Sequence, residues 1–190
     1  YALDTSVEKE ACTLDLAPTS STTATLAMGD ALAIALLESR GFNAQDFAEL
    51  HPGGSLGKKL LLTVNQLTHK ESKIPFVHKN TSLKEALLTI SEKGLGITGV
   101  LDQNNELIGI ITDGDIRRGI ENGGNNIFDK TAEDFMSIKP KTITADTLAI
   151  TALELMEKHN ITSLFVYSSD ELKKPDGIIH IHDILKTGIQ

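Results

Sequence analysis

An internal duplication is the feature of this sequence that most restricts its fold. Residues 109–116 read GIITDGDI, and residues 177–184, 68 positions later, read GIIHIHDI. Further upstream the spacing is 66 positions, and the matching pairs are Val77/Ile143, Thr81/Thr147, Ala86/Ala152, Leu87/Leu153, Ile90/Met156 and Val100/Val166. Solenoid units span about 20–50 residues, so a repeat of this length indicates a duplicated domain. Residues 65–190 are therefore predicted to form one pseudo-symmetric body with two equivalent places for a ligand.

Each copy is predicted to contain a helix, two strands and a second helix, from its hydrophobic spacing and capping residues. The predicted elements of the first copy are a helix capped by Asn80 and Thr81 and ending near Gly94, strands over residues 97–101 and 107–112, and a helix capped by Asp113. Those of the second copy are a helix opening at Asp146 and Thr147, strands over residues 161–167 and 177–181, and a helix over residues 183–186. Residues 64–68 and 132–136 are matching lead-ins, and a join is predicted near residues 122–131.

The first segment, residues 1–64, is predicted to carry one long apolar helix over residues 24–40, with hydroxyl side chains capping its start. The apolar residues of this helix cover most of its circumference, which predicts burial on several sides. A short second helix is predicted to open with a capping box of Asn43 and Asp46 and to end before His51.

Charge and composition exclude several classes of function. The formal net charge is −8 and no basic cluster exceeds two adjacent residues, which argues against nucleic acid and anionic membranes as partners. The longest apolar run, residues 31–37, is far shorter than the ~20 residues that span a bilayer, so no membrane segment is predicted. Because Cys12 is the single cysteine, no intrachain disulfide can form, and a cytoplasmic location is expected.

Several stretches resemble known families. The stretches that resemble the C-terminal part of a sugar isomerase (SIS) domain, in the arabinose-5-phosphate isomerase family, are residues 10–12, 17–26, 28–33 and 51–57. The duplicated segment resembles the paired cystathionine-β-synthase (CBS) domains of the same family. The resemblance implies an α/β (α+β) fold, in which a tandem CBS pair of β-α-β-β-α units follows a truncated α/β SIS remnant. The predicted domains are 1–64 (SIS remnant), 65–127 (first CBS domain) and 128–190 (second CBS domain).

The resemblance implies interconversion of D-arabinose 5-phosphate and D-ribulose 5-phosphate, for Kdo and lipopolysaccharide synthesis. That reaction needs a base to move a proton between C1 and C2 and an acid–base group to open the ring. Glu10 and His51 are the candidate catalytic residues, without a decision on which is the base. The family's Ser/Thr/Gly loop for the sugar phosphate is absent from this sequence. The chain is therefore expected to be an inactive regulatory portion of the enzyme, with residues 1–64 loosely folded.

The first copy carries a candidate ligand site at Thr112 and Asp115. Thr112 ends a predicted strand and Asp115 lies in the first turn of the next helix. A carboxylate can accept hydrogen bonds from both hydroxyls of a ribose, and a threonine hydroxyl with helix N–H groups can hold a phosphate. Arg117 or Arg118 can add positive charge. In CBS domains, Thr-x-x-Asp is a ribose-and-phosphate signature, which Thr112 and Asp115 fit; the alternative is that Asp115 only caps the helix.

The second copy fits that signature only at Asp183, because His180 stands in the threonine position. His180 and His182 are predicted to face one side of a strand, with Asp183 adjacent, and all three are candidate ligand-binding residues. Three ligands this close on one strand make a poor tetrahedral site, so no metal is expected. No required cofactor is expected either. The alternative for Asp183 is again a helix cap.

The predicted effector is a nucleotide or nucleotide sugar, either CMP-Kdo or an adenine nucleotide, beside a sugar phosphate as substrate. Both families commonly self-associate, so a homo-oligomer, a dimer or tetramer, is expected. A stand-alone CBS module that senses nucleotides and regulates a partner protein is the alternative, with residues 1–64 as a docking arm. A sugar-phosphate-responsive transcription regulator fits worst, because no helix-turn-helix is evident and the charge is −8.

Overall fold

The structure is a computed structural model that describes residues 1–51, 53–123, 129–169 and 171–189. The chain divides into two compact units, Tyr1–His51 and Pro52–Gln190. Residues 124–128, half of the predicted join near residues 122–131, lie outside the described residues. The domain boundaries after residues 64 and 127 stay predictions.

The first unit consists of α1 (Ser20–Ser39) and α2 (Ala44–Leu50) with the chain that leads into them. The capping box of α2 is confirmed, since Asn43 accepts from the backbone N–H of Asp46 and the Asp46 carboxylate accepts from that of Asn43. The expected burial of α1 is wrong, because no residue of α1 is buried. The other helix of this unit, α2, has seven residues and is too short to cover the 20 residues of α1.

α1 is also long and apolar enough to cross a membrane by length and composition. This is weak evidence for a membrane span, because a core helix of a soluble protein passes the same test. The sequence prediction of no membrane segment rested on uninterrupted apolar runs, which the scattered Gly, Thr and Asp residues of α1 keep short.

The second unit contains two four-stranded sheets, seven α-helices and a short 3₁₀ helix (Glu71–Lys73) among its described residues. The helices are α3 (Ser55–Leu61), α4 (Val64–Leu67), α5 (Leu83–Lys93), α6 (Asp113–Gly123), α7 (Ala132–Phe135), α8 (Ala149–His159) and α9 (Ile181–Leu185). The strands are β1 (His69–Lys70), β2 (Phe76–His78), β3 (Ile97–Leu101), β4 (Leu107–Thr112), β5 (Ser137–Ile138), β6 (Thr142–Thr144), β7 (Ser163–Tyr167) and β8 (Gly177–His180). The strand orders are β2-β3-β4-β5 and β1-β8-β7-β6.

The two repeats exchange their first strands. β1 leads into the first repeat but pairs with β8 of the second, and β5 leads into the second repeat but pairs with β4 of the first. The lead-in helices cross over in the same way: the N–H of Val64 in α4 donates to Thr147 O at 2.8 Å, and that of Ala132 in α7 donates to Thr81 O at 2.8 Å. Each repeat is therefore completed by the chain that leads into the other.

Apolar packing follows this exchange. The core of the second repeat includes Val64 from α4, and the core of the first includes Ala132 from α7. A third cluster, the between-sheet core, consists of Ile74, Ile97, Phe165 and Ile178. The ring of Phe165 stacks on that of Phe76 with centroids 5.4 Å apart. The two sheets thus pack face to face, and the predicted fold class is confirmed.

The predicted starts of α5, α8 and α9 are wrong by one or two residues, and α9 begins at Ile181 rather than at residue 183. Ser82, rather than Asn80 or Thr81, caps α5, and its hydroxyl and the Glu85 carboxylate complete a capping box. In the second copy Leu148 precedes α8, where Asp146 and Thr147 were expected. For α8 the reason is the crossover, because the carbonyl of Thr147 accepts from a lead-in helix.

Candidate functional site

Asp115 is the centre of a hydrogen-bond network at the start of α6. Its Oδ2 accepts from the N–H of Thr112 at 2.8 Å and from the Thr112 hydroxyl at 2.6 Å. Its Oδ1 accepts from Arg118 at 2.6 Å and from the hydroxyl of Ser137 at 2.9 Å. Thr112 and Asp115 therefore cap α6, and the predicted cap at Asp113 is wrong, since Asp113 is already the first residue of the helix.

The charge of Asp115 is well supported although its side chain is only 8% exposed. Burial by itself would raise the pKa of this carboxyl. The hydrogen bonds from Thr112, and then those from Ser137 and Arg118, outweigh the burial and hold the pKa below its ordinary value. Asp115 is thus an anion at neutral pH.

Asp183 occupies the equivalent place in the second repeat. Its Oδ2 lies 2.7 Å from Nε2 of His69, and its Oδ1 accepts from Lys186 at 3.4 Å. Burial by itself would raise the pKa of Asp183. The hydrogen bond and charge of His69 outweigh the burial and hold the pKa below its ordinary value.

The two networks match across the duplication. Lys186 stands 68 positions after Arg118, and Ser137 stands 68 positions after His69. Each carboxylate therefore bonds a cation three residues further along the chain and a side chain on the exchanged strand of the other repeat.

A cavity of about 760 Å³ opens beside Asp115 and is lined by residues of both repeats. Of the predicted site residues it is lined by Thr112, Asp115, Arg118, His180 and His182. Arg117 is exposed on α6 and does not line it, and neither does Asp183. The volume lies within the 300–1,000 Å³ typical of small-molecule sites.

The cavity joins positive charge to an apolar wall. Its cations are Arg118, Lys139 and Lys141, which outnumber its two carboxylates, Asp113 and Asp115, in a chain whose net charge is −8. Its apolar side chains are Leu95, Ile97, Ile110, Ile138, Pro140, Ile161 and Phe165. An anionic ligand with a flat apolar part suits this lining. Sequence reasoning missed Lys139, Lys141, Ser137 and Ser163, which lie outside the two signature stretches.

The two histidines of the cavity are on different elements, so their predicted place on one strand is wrong. His180 ends β8 and His182 lies within α9, with ring centroids 4.9 Å apart. Nδ1 of His180 accepts from the backbone N–H of His182 at 3.2 Å. Burial, and then the charge of His182, lower the pKa of His180, which favours a neutral ring. The described residues contain no group of three or more side chains able to hold a metal ion.

Glu10 and His51 both lie in the first unit. Oε2 of Glu10 accepts from the N–H of Thr19 at 2.7 Å and from that of Ser21 at 3.3 Å. Hydrogen bonds to Ser21, and then to Thr19, lower the pKa of Glu10 to about 2. The ring of His51 stacks on Phe47 at 4.5 Å. In the described part of the chain no hydrogen bond joins Glu10 to His51.

Comparison with known proteins relates these features to families. The CBS-domain family model matches residues 66–122 and 132–189. The chain is 49% identical over 187 residues to "Arabinose 5-phosphate isomerase KdsD" of Pseudomonas aeruginosa, covering 98% of this chain and 56% of that protein. It is 49% identical over 183 residues to the protein of the same name from Escherichia coli, covering 96% and 55%. The chain spans about half the length of these relatives.

Solved structures agree with the family match. A CBS-domain protein of Agrobacterium tumefaciens is 21% identical with a TM-score of 0.59, over 67% of this chain and 93% of that one. CBSX2 in complex with AMP is 22% identical with a TM-score of 0.56, over 67% and 96%. The CBS pair of MJ0100, in complex with 5'-methylthioadenosine and S-adenosylmethionine, is 26% identical with a TM-score of 0.56, over 65% and 93%. With its duplicated sheets, its cavity between repeats and the match over both copies, the chain belongs to the CBS-domain family.

Proposed function

We propose that this chain is the regulatory portion of an arabinose 5-phosphate isomerase and that its CBS pair binds a nucleotide or nucleotide sugar. The relatives that carry the isomerase name support the first part, at 49% identity. The AMP and S-adenosylmethionine complexes of structural neighbours support the second. The observation that carries the proposal is the cavity beside Asp115, which combines two carboxylates, three cations and an apolar wall.

In the proposed complex the ribose hydroxyls donate to Asp115, whose Oδ1 accepts from Arg118 and Ser137 in the structure. The ribose takes the place of these two donors. The Arg118 side chain is 62% exposed, so it is able to move towards the phosphate. There it joins Lys139 and Lys141, whose charges favour the anion.

The same exchange gives a route for regulation. Ser137 belongs to β5, the strand that leads into the second repeat but pairs with β4 of the first. When a ribose hydroxyl replaces the Ser137 hydroxyl, a hydrogen bond between the repeats is replaced by a hydrogen bond to the ligand. Binding of the nucleotide thereby changes how firmly the two repeats are joined.

Calorimetry with AMP, ATP and CMP-Kdo on this chain tests the proposal. We expect at least one of them to bind, and Asp115→Asn to weaken that binding about tenfold or more, because a charge-assisted hydrogen bond contributes ~1.5–3 kcal/mol. Glu92→Gln is the matched control, since Glu92 is 75% exposed on α5 and does not line the cavity. Failure of all three compounds to bind would contradict the nucleotide proposal.

For the enzyme itself we propose that Glu10 and His51 contribute to the isomerisation in the whole protein. In this chain the carboxylate of Glu10 caps the start of α1, and its pKa of about 2 makes it a weak base. The proposed setting is the cytoplasm and the proposed assembly is a homo-oligomer, with a sugar phosphate as the substrate.

A further inference from the structure

We propose that Ser163 and His180 form the base-recognition edge of the cavity, and that they select nucleotides whose base carries an amino group beside an acceptor ring nitrogen. This inference rests on the nucleotide binding proposed above. It adds a residue, Ser163, that the ribose-and-phosphate signature does not include, and it narrows the class of ligand.

In the described part of the chain, Ser163 has the only buried hydroxyl without a hydrogen-bond partner. Its residue exposure is 7%, and its Oγ is shielded from solvent with no hydrogen-bond partner. Ser163 also lines the cavity beside Asp115. A buried hydroxyl without a partner destabilises a folded protein, so its presence at a cavity points to a ligand that supplies the partner.

The duplication provides an internal comparison for this position. Ile97 opens β3 as Ser163 opens β7, 66 positions apart. Ile97 is 5% exposed and belongs to the between-sheet core. Packing alone therefore accepts an apolar side chain at this place in a repeat, and the fold gives no reason for a hydroxyl at residue 163.

The neighbour of Ser163 across the sheet adds a second polar group. Ser163 pairs with His180 in the antiparallel ladder of β7 and β8. Directly opposite side chains lie on the same face of a sheet, and both residues line the cavity. The equivalent pair in the first repeat is Ile97 and Thr112, of which one is apolar and the other bonds Asp115.

The hydrogen bond at Nδ1 fixes what His180 can offer to a ligand. Because Nδ1 accepts from the N–H of His182, the proton of the neutral ring lies on Nε2, which is then a donor. Nε2 pairs with a ring nitrogen that accepts, and the Ser163 hydroxyl accepts from a neighbouring amino group. Adenine and cytosine have this arrangement. Hypoxanthine and uracil present a ring N–H instead, which opposes the His180 donor.

Paired nucleotides test this inference by calorimetry on the whole chain. We expect AMP to bind more tightly than IMP, or CMP more tightly than UMP, by about tenfold, the size of effect that one mismatched hydrogen bond produces. Ser163→Ala should weaken binding of the amino-bearing nucleotide by about five- to tenfold and leave ribose 5-phosphate, which has no base, unchanged. Ser91→Ala is the control, since Ser91 is exposed on α5 and away from the cavity.

The possible outcomes separate this inference from the proposed function. If the wild type binds nucleotides but does not distinguish amino from oxo bases, or if Ser163→Ala binds as tightly, the inference alone is overturned. A wild type that binds ATP or CMP-Kdo but none of these four nucleotides overturns the inference alone, and one that binds none of the six compounds overturns both. Ser163→Ala should also keep or raise the thermal midpoint without ligand, because it removes an orphaned hydroxyl; a lowered midpoint would make the hydroxyl structural and overturn the inference.

Discussion

At the scale of single residues, Asp115 and Asp183 join the two repeats. Each bonds a cation three residues further along the chain and a side chain on the exchanged strand, Ser137 in one case and His69 in the other. The sequence predicted both carboxylates, because they recur at a fixed place in the duplicated stretch. It could not predict Ser137 and His69 as their partners, because those contacts depend on strands that cross between the repeats.

These carboxylates make the stability of the second unit depend on pH. The folded-state pKa of Asp115 lies below its ordinary value of 3.8, so its contribution is complete above about pH 5 and is lost as the pH falls through the folded-state pKa. We expect Asp115→Asn to be less stable than Glu92→Gln at pH 7 and to lose less of its stability between about pH 5 and pH 3. Urea unfolding at several pH values measures both effects. Equal slopes in the two variants would contradict the prediction.

At the scale of elements, two glycines make room for the lead-in chains. A Cβ added to Gly109 in β4 would lie 2.7 Å from Sδ of Met136, and one added to Gly177 in β8 would overlap the methyl group of Thr68. Met136 and Thr68 are themselves 68 positions apart. The glycines therefore serve the same crossover in both repeats.

The two glycines should differ in their tolerance of alanine. Thr68 is β-branched and its hydroxyl donates to Val64 O at 2.7 Å, so it cannot turn away without breaking that bond. Met136 is unbranched, so its Cγ and Sδ can rotate away, and its Cβ, 3.0 Å from the added atom, has to shift by only a few tenths of an ångström. We expect Gly177→Ala to cost about 2–3 kcal/mol and Gly109→Ala about 1 kcal/mol, measured by urea unfolding. A larger loss for Gly109→Ala would show that the rigidity of the neighbour is not what decides the cost.

Local patterns predicted the elements well where local interactions set their ends. The strands over residues 97–101 and 107–112 were predicted to the residue, and the end of α5 at Gly94 is confirmed by its left-handed φ of 68°. The start of α8 was misplaced because hydrogen bonds from the lead-in chain decide it. The start of α5 also has a local signal, the capping box of Ser82 and Glu85, which the sequence prediction overlooked. Lys139, Lys141 and Ser163 were missed because only the folded pair brings them beside Asp115.

At the scale of the whole molecule, the two units differ in how far they are built around a core. α1 has no buried residue, whereas the second unit contains three apolar clusters. Susceptibility to proteases follows the burial of the backbone and its neighbours. The first unit is therefore the one expected to open to a protease.

Limited proteolysis with thermolysin checks this expectation. We expect early cleavage within α1 or near Gly53 and a resistant fragment close to residues 65–190, identified by mass spectrometry. Addition of a nucleotide that binds should slow the later cleavage of this fragment, because ligand binding stabilises the folded state. Uniform resistance along the chain would contradict the prediction.

The exchange of β1 and β5 has a consequence for a repeat on its own. A single repeat without the other would lack the strand that completes its sheet. Its own lead-in strand would have no sheet to pair with. Two such copies could restore both sheets by swapping those segments. The exchange thus makes a symmetric dimer of single repeats the structural counterpart of the fused pair.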